Sequence, residues 1–266
     1  MQFSKRFVSV AAAAALALGL VACGGSAPAS DGGSGDAATV YKIATDTTFA
    51  PFEYADTDGT YVGIDVELLA AIAADQGFEY ELEPLGFDAA LQAVQSGQSD
   101  GVIAGMSITP ERQKVFDFSA PYYDSTVCAA AADASIKSLE DLNGKTVAVK
   151  TGTMSEAWAE SLKDTYGFKT VQFDTSDVMY QDVIAGNTAA CFEDTPVMSY
   201  AISTGNVSLT IIAEAAADSE FATPYGFAVN KGDNAELLAA FDAGLANIKA
   251  DGTYDKIVNS YVQSVN

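Results

Sequence analysis

Three stretches of the chain carry side chains able to do chemistry. In Ser107-Ile108-Thr109-Pro110-Glu111-Arg112, Thr109 suits a helix N-cap and Pro110 the first helical position, so Arg112 falls in the first turn. A cation there opposes the positive end of the helix dipole, at a cost of about 0.3–1 kcal/mol. An anion held by backbone N–H groups and the guanidinium together would offset that cost, and a carboxylate fits. A surface arginine paired with Glu111 or Asp117 fits the same run. The second stretch is Glu193-Asp194, at the end of the apolar run Ala189–Phe192. Paired acids at a strand end can bind an ammonium, hold a metal, or work as acid and base. The third is Asp46 with Phe49 and Phe52 after the first apolar run, and Phe87 at the start of a later helix. These rings serve either core packing or the walls of a site. An arginine, an acid from another segment and rings between them suit a zwitterion with an apolar or polar stem.

Composition removes the competing chemistries. The 266 residues contain no His, which excludes His-based triads and imidazole metal sites. No third ligand clusters with Glu193 and Asp194, so neither a metal nor any other cofactor is expected. With 13 Lys+Arg against 36 Asp+Glu, a net charge of -23 is incompatible with a basic nucleic-acid groove. Gly144-Lys145-Thr146 lacks the upstream glycine of a phosphate loop, and Asp56-Thr57-Asp58-Gly59 is a turn without the rest of a calcium loop. Ser155 has no base to activate it. Cys128 and Cys191 sit in apolar contexts and read as two buried thiols.

The elements that must position these residues form an α/β pattern, short apolar runs alternating with helical ones. Val40–Ala44 reads as a strand, and Asp58-Gly59 as the turn of a hairpin. Asp65 opens a helix closed by Gly77, and Asp88 caps a second that stops at Gly97 before a strand at Gly101–Ile103. Thr146–Lys150 reads as a further strand, followed by a helix around Trp158. A weak repeat links two of these units. The helix ending Gln95-Ser96-Gly97 precedes Ile103 by the spacing at which Ile184-Ala185-Gly186 precedes Phe192. Two similar lobes follow, each bringing strand ends to a shared crevice. The segments Ala120-Pro121-Tyr122-Tyr123 and Thr223-Pro224-Tyr225-Gly226 read as the crossings between them. Lobe 1 is then 40–122 with 226–266, and lobe 2 is 123–225.

The N-terminus reads as an address. Lys5 and Arg6 precede an apolar run that ends Leu20-Val21-Ala22-Cys23, a secretory signal over residues 1–22. The Leu-Val-Ala-Cys tetrad is similar to the lipobox of bacterial lipoproteins, which implies lipidation at Cys23. Residues 23–39 are rich in Gly, Ser, Ala, Pro and Asp and read as a tether. The expected location is outside the cytoplasm, anchored to the membrane by lipid.

From Val40 to Tyr261 the chain resembles the polar-amino-acid-binding proteins of ABC transporters, nearest to their glutamine-binding members. The segments that carry the resemblance are Thr45-Asp46-Thr47-Thr48-Phe49-Ala50-Pro51-Phe52-Glu53, Tyr61-Val62-Gly63-Ile64-Asp65, Ala104-Gly105-Met106-Ser107-Ile108-Thr109-Pro110-Glu111-Arg112, Asp117-Phe118-Ser119-Ala120-Pro121-Tyr122-Tyr123, Val147-Ala148-Val149-Lys150-Thr151-Gly152-Thr153 and Glu193-Asp194-Thr195-Pro196. The resemblance implies a two-lobed periplasmic-binding-protein fold of type II, with the ligand in the cleft and two hinge crossings. It implies a monomer that hands its ligand to a permease and catalyses nothing. By position, Arg112 grips the α-carboxylate with Ser107 and the backbone near Thr153. Asp194 takes the α-ammonium with Gly105, Phe49 and Phe87 flank the stem, and Asp46 and Lys150 meet the side-chain amide. Glu53 and Ala104 lie within the matched motifs and join the set. Glu193 stands where the glutamine-type pattern carries His. Lys150 would repel a cationic ligand, whereas an amide accepts from Lys150 and donates to Asp46. Glutamine is therefore the expected ligand, with asparagine or glutamate as alternatives. A dehydratase of cyclohexadienyl amino acids and an extracellular sensor or adhesin are the rival functions.

Overall fold

The structure, a computed structural model, describes residues 40–262. The signal segment, Cys23 and the tether lie outside the described residues. In chain order the elements are β1 (Val40–Thr45), β2 (Thr48–Phe49), β3 (Glu53–Ala55), β4 (Tyr61–Val62), α1 (Ile64–Gln76), β5 (Glu79–Pro84), α2 (Phe87–Gln95), β6 (Gly101–Val102) and β7 (Phe116–Phe118). They continue with β8 (Val127–Ala131), β9 (Thr146–Lys150), α3 (Met154–Tyr166), β10 (Lys169–Phe173), α4 (Ser176–Ile184), β11 (Cys191–Asp194), α5 (Thr195–Ser203) and β12 (Thr210–Glu214). The last three are β13 (Ala228–Asn230), α6 (Ala235–Ala250) and α7 (Thr253–Val262).

Two five-stranded sheets share one topology. The first runs β5-β1-β6-β13-β7 and the second β10-β9-β11-β8-β12. In each, the second strand in the order lies between two parallel partners, and the fourth pairs antiparallel with the third. The repeat seen in the sequence is the unit α2–Gly97–β6, answered by α4–Gly186–β11, and both glycines have positive φ (73° and 76°). Helices cover both faces of each sheet, as strands joined by helical crossovers require. α1 and α6 close one face of the first sheet, where the rings of Phe227 and Phe241 stack 4.4 Å apart. α2 closes the other. In the second sheet Trp158 of α3 packs on Phe192, while Met179 and Tyr180 of α4 share a core with Cys128 and Cys191. Both cysteines are free and buried.

The chain passes from the first sheet to the second after β7 and returns before β13. These two passages lie side by side. Tyr122 N donates to Tyr225 O at 2.9 Å, and Tyr225 N to Tyr123 O at 2.7 Å. A two-rung antiparallel contact of this kind lets the sheets change angle while the rungs stay formed.

Local readings are corrected in three places. α1 starts at Ile64 after Gly63, and α2 at Phe87 after Gly86, so Asp65 and Asp88 lie in first turns and do not cap. β11 extends through Asp194, so both acids belong to the strand. The turn after Thr109 is a single 3-10 turn, Arg112–Lys114, because Val115 leads directly into β7. It is too short for a macrodipole, and the dipole argument for Arg112 lapses.

Candidate functional site

Where the two sheets face each other, a narrow cleft is lined by Phe49, Phe87, Gly105, Ser107, Arg112, Lys150, Thr153, Met154 and Asp194. Each arrives by a distinct local device. Phe87 is the first residue of α2, and Lys150 the last of β9. Thr153 is the N-cap of α3: its hydroxyl accepts from Glu156 N at 3.1 Å and donates to Lys150 O at 2.7 Å. Gly105 follows β6 with φ 53°, and a Cβ there would stand 2.3 Å from Phe49 Cε1. Only glycine allows the ring and the backbone this close.

The cationic pole is Arg112. Its Nη1 donates to Ser107 O at 2.8 Å, and its Nη2 donates across the cleft to Gly152 O at 3.0 Å. The guanidinium lies 5.3 Å from the centroid of Phe87. Burial draws its pKa down to about 10, against the opposing pull of Asp194 and Tyr225. It remains charged at neutral pH, held by carbonyls and a ring rather than by an acid. Glu111 pairs with Lys114 and Asp117 with Lys231, so the alternative pairing of Arg112 is not adopted.

The acidic pole is Asp194. Its Oδ2 accepts from Tyr225 OH at 2.5 Å, and Ser125 Oγ donates to that same hydroxyl at 2.9 Å. Burial, then the neighbouring charge of Glu193, push its pKa up to about 7. No ion pair joins Arg112 and Asp194 among the described residues. The two poles thus face the cleft from opposite sides, open to a group carrying both charges.

The third corner holds Lys150, which is 1% exposed. Its ammonium crosses to Asp46 in a direct ion pair, lies 4.7 Å from the Phe49 centroid and 5.9 Å from that of Phe87, and reaches Ser176 Oγ at 3.4 Å. Burial alone would lower its pKa, but Asp46 and Glu193 outweigh this and hold it above its ordinary 10.5.

Four residues of the expected set stand behind these walls. Asp46 reaches the space only through Lys150. Ala104 is packed into the core beside α2. Glu193 points toward α4, since alternate residues of a strand face opposite ways and it shares a side with Cys191. Glu53 is buried beside Asp65, whose Oδ2 accepts from Gly105 N at 2.8 Å and Tyr122 OH at 2.7 Å. Neither Glu53 oxygen nor Asp65 Oδ1 has another partner. A proton held on Glu53 and donated to Asp65 supplies that bond, and burial next to Asp65 and Asp46 pushes the Glu53 pKa well up. The sequence reading missed Met154, Ser176, Tyr180 and Tyr225 as neighbours of the site. Ser176 and Tyr180 are legible as one helical face, but nothing in the chain marks that face as turned to Lys150. A larger hollow between Thr48, Ala50 and the helices α4 and α5 gathers one carboxylate, Asp177, and no cation.

Residues 41–264 match the model of the bacterial extracellular solute-binding proteins, family 3. The arginine-binding extracellular protein ArtP of Bacillus subtilis is 32% identical over 255 residues, 95% of this chain and 96% of that protein. Substrate-binding domain 2 of Lactococcus lactis GlnP, in an open conformation, is 43% identical over 84% of this chain and 97% of its own, with a TM-score of 0.58. An ancestral arginine-binding protein, solved with arginine and with glutamine bound, is 39% and 38% identical over 84% of this chain and 97% of its own, with a TM-score of 0.75 in both. The higher identity goes with the lower structural overlap.

Proposed function

The chain belongs to the bacterial extracellular solute-binding proteins of family 3, and on that premise we propose that it captures a polar, uncharged amino acid, glutamine first, and passes it to an ABC permease. Arg112 receives the α-carboxylate, Asp194 the α-ammonium, and Phe49 and Phe87 enclose the stem. The observation that carries the choice of glutamine is the Lys150 ammonium, held against Asp46 between the two rings. A resident cation at that end disfavours a second one, while a neutral amide accepts from Lys150 through its carbonyl and adds no charge to the Lys150–Asp46 pair. Asparagine shares the chemistry but has a shorter reach; glutamate would add a carboxylate near Asp46 and Glu193, which already balance the Lys150 charge. We place the lobe boundaries at 122/123 and 225/226, and the membrane tether on a lipidated Cys23. The polar Lys150–Asp46 end argues against a dehydratase acting on a large apolar ring.

The same rings favour a second reading. If Lys150 withdraws, Phe49, Phe87 and Asp46 form a cage suited to a guanidinium, in keeping with the arginine-binding relatives. A thermal-shift screen of the purified protein, stripped of carried ligand by unfolding and refolding, against the twenty amino acids separates the two. Glutamine at about 100 times its Kd should add roughly 2.7 kcal/mol of stability, with no comparable rise from arginine. Lys150→Met should weaken glutamine by about tenfold or more and strengthen arginine. Arginine as the strongest stabiliser of the wild type would overturn the assignment; no response to any amino acid would leave the family without this ligand class.

A further inference from the structure

Glu193 is fully buried, faces away from the cleft, and still touches both of its ends. Its Oε2 accepts from Ser176 Oγ and from Tyr180 OH, both at 2.8 Å, and its Oε1 accepts from Asp194 N at 2.9 Å. Ser176 has one hydroxyl proton, and Glu193 takes it. The serine oxygen is thereby left as an acceptor toward Lys150 Nζ, 3.4 Å away. One carboxylate is thus joined through a single hydroxyl to the cation at one end of the site, and through a single peptide to the acid at the other.

Building on the amino-acid reading above, we propose that Glu193 is a positioning residue with two outputs: through Ser176 it keeps the Lys150 ammonium turned toward Asp46, and beside Asp194 it supplies a negative charge that a ligand ammonium offsets. The first output sets which side chain the cleft accepts. The second makes capture responsive to protons. The Asp194 pKa is pushed up to about 7 by burial and by Glu193, against the opposing pull of the Tyr225 hydroxyl, Arg112 and Lys150. The other titratable groups facing this pair are Tyr180 from α4, Cys128 and Cys191 from the second sheet, and Asp46 behind Lys150. An incoming ammonium favours the ionised carboxylate. As pH falls below about 7 each capture event therefore releases up to one proton, and affinity falls by up to tenfold for each further pH unit.

The test begins without ligand. The Asp194 carboxyl ¹³C shift is followed by NMR from about pH 4 to 9 in the refolded, stripped protein. A midpoint near 7 is expected for the wild type. Glu193→Gln should move it down by about one pH unit or more, and Glu193→Asp, which keeps the charge, should hold it near the wild-type value. Ser176→Ala should weaken glutamine about fivefold by cutting the link between Glu193 and Lys150, and should leave the midpoint near the wild-type value because Tyr180 OH and Asp194 N still hold the Glu193 carboxylate in place. An unchanged midpoint in Glu193→Gln, a fall in Glu193→Asp as large as in Glu193→Gln, or a wild-type midpoint near the ordinary 3.8 would overturn the proposal. If Glu193→Gln does not fold, the wild type and Glu193→Asp still decide it. Absence of amino-acid binding to the wild type would sink the capture reading instead, and the carboxyl titration would continue to report on Glu193.

Discussion

At the scale of single residues, the Glu53–Asp65 pair has a consequence for stability. Burial raises both carboxyls, Asp65 to about 6 and Glu53 further. The folded state therefore holds a proton on Glu53 that the unfolded chain releases above its ordinary 4.5. Stability is greatest below that value and declines as pH rises toward the folded-state pKa, by up to about 1.4 kcal/mol per unit for each such group. Glu53→Gln keeps a donor toward Asp65 and cannot ionise. Urea unfolding of the two proteins between about pH 5 and 8 should show a shallower decline in the variant and a higher stability at the alkaline end. Equal slopes would mean that Glu53 is charged in the fold. The residues at this scale were partly legible. Arg112 and Asp194 stand out because each is a charge in an apolar or capped run. Glu53 and Glu193 looked equivalent to them in sequence, because type and spacing do not say which side of a strand turns to the cleft.

Among the elements, the approach of Gly105 to Phe49 is the tightest in the site. Gly105→Ala must accept positive φ and push the ring from its place on Lys150, costs of about 1–2 and 1–3 kcal/mol. The expected result is a fall in melting temperature of roughly 4–20 °C together with loss of ligand binding. Unchanged stability would show that the ring moves freely. Strand and helix positions were legible here, since β9, α3, β3 and β4 follow apolar periodicity and turn residues. The exception at Arg112 is instructive. Thr109-Pro110 does start a turn, and Thr109 Oγ1 accepts from Arg112 N at 3.2 Å. The helix fails to propagate because Phe116–Phe118 is claimed by the first sheet. Long-range pairing decided what local propensity left open.

Across the whole molecule, the matching strand orders make two lobes from one plan, and the cleft lies where both present strand ends. The repeat of helix, glycine and strand foreshadowed this. The side-by-side crossings did not show, because backbone pairing between Tyr123 and Tyr225 spans about a hundred residues of sequence. The lobes are bridged by Lys150–Asp46 and by Arg112 to Gly152 O. Asp46→Asn would leave Lys150 buried against a neutral partner, a cost of about 3–5 kcal/mol that separation of the lobes relieves by hydrating the lysine. In X-ray scattering without ligand, the variant should show a larger radius of gyration than the wild type, with the difference closing on addition of ligand. Equal radii would mean that the ion pair has no part in holding the lobes together.

The Lys150–Asp46 bridge also bears on traffic at the membrane. Formed ahead of capture, it would give a vacant molecule much of the outline of a laden one. A transporter that reads outline would meet both as callers at the same door, and the vacant ones would slow the queue. Uptake would then depend on the ratio of laden to vacant molecules, and making more of the protein at scarce ligand would eventually reduce the flux it serves.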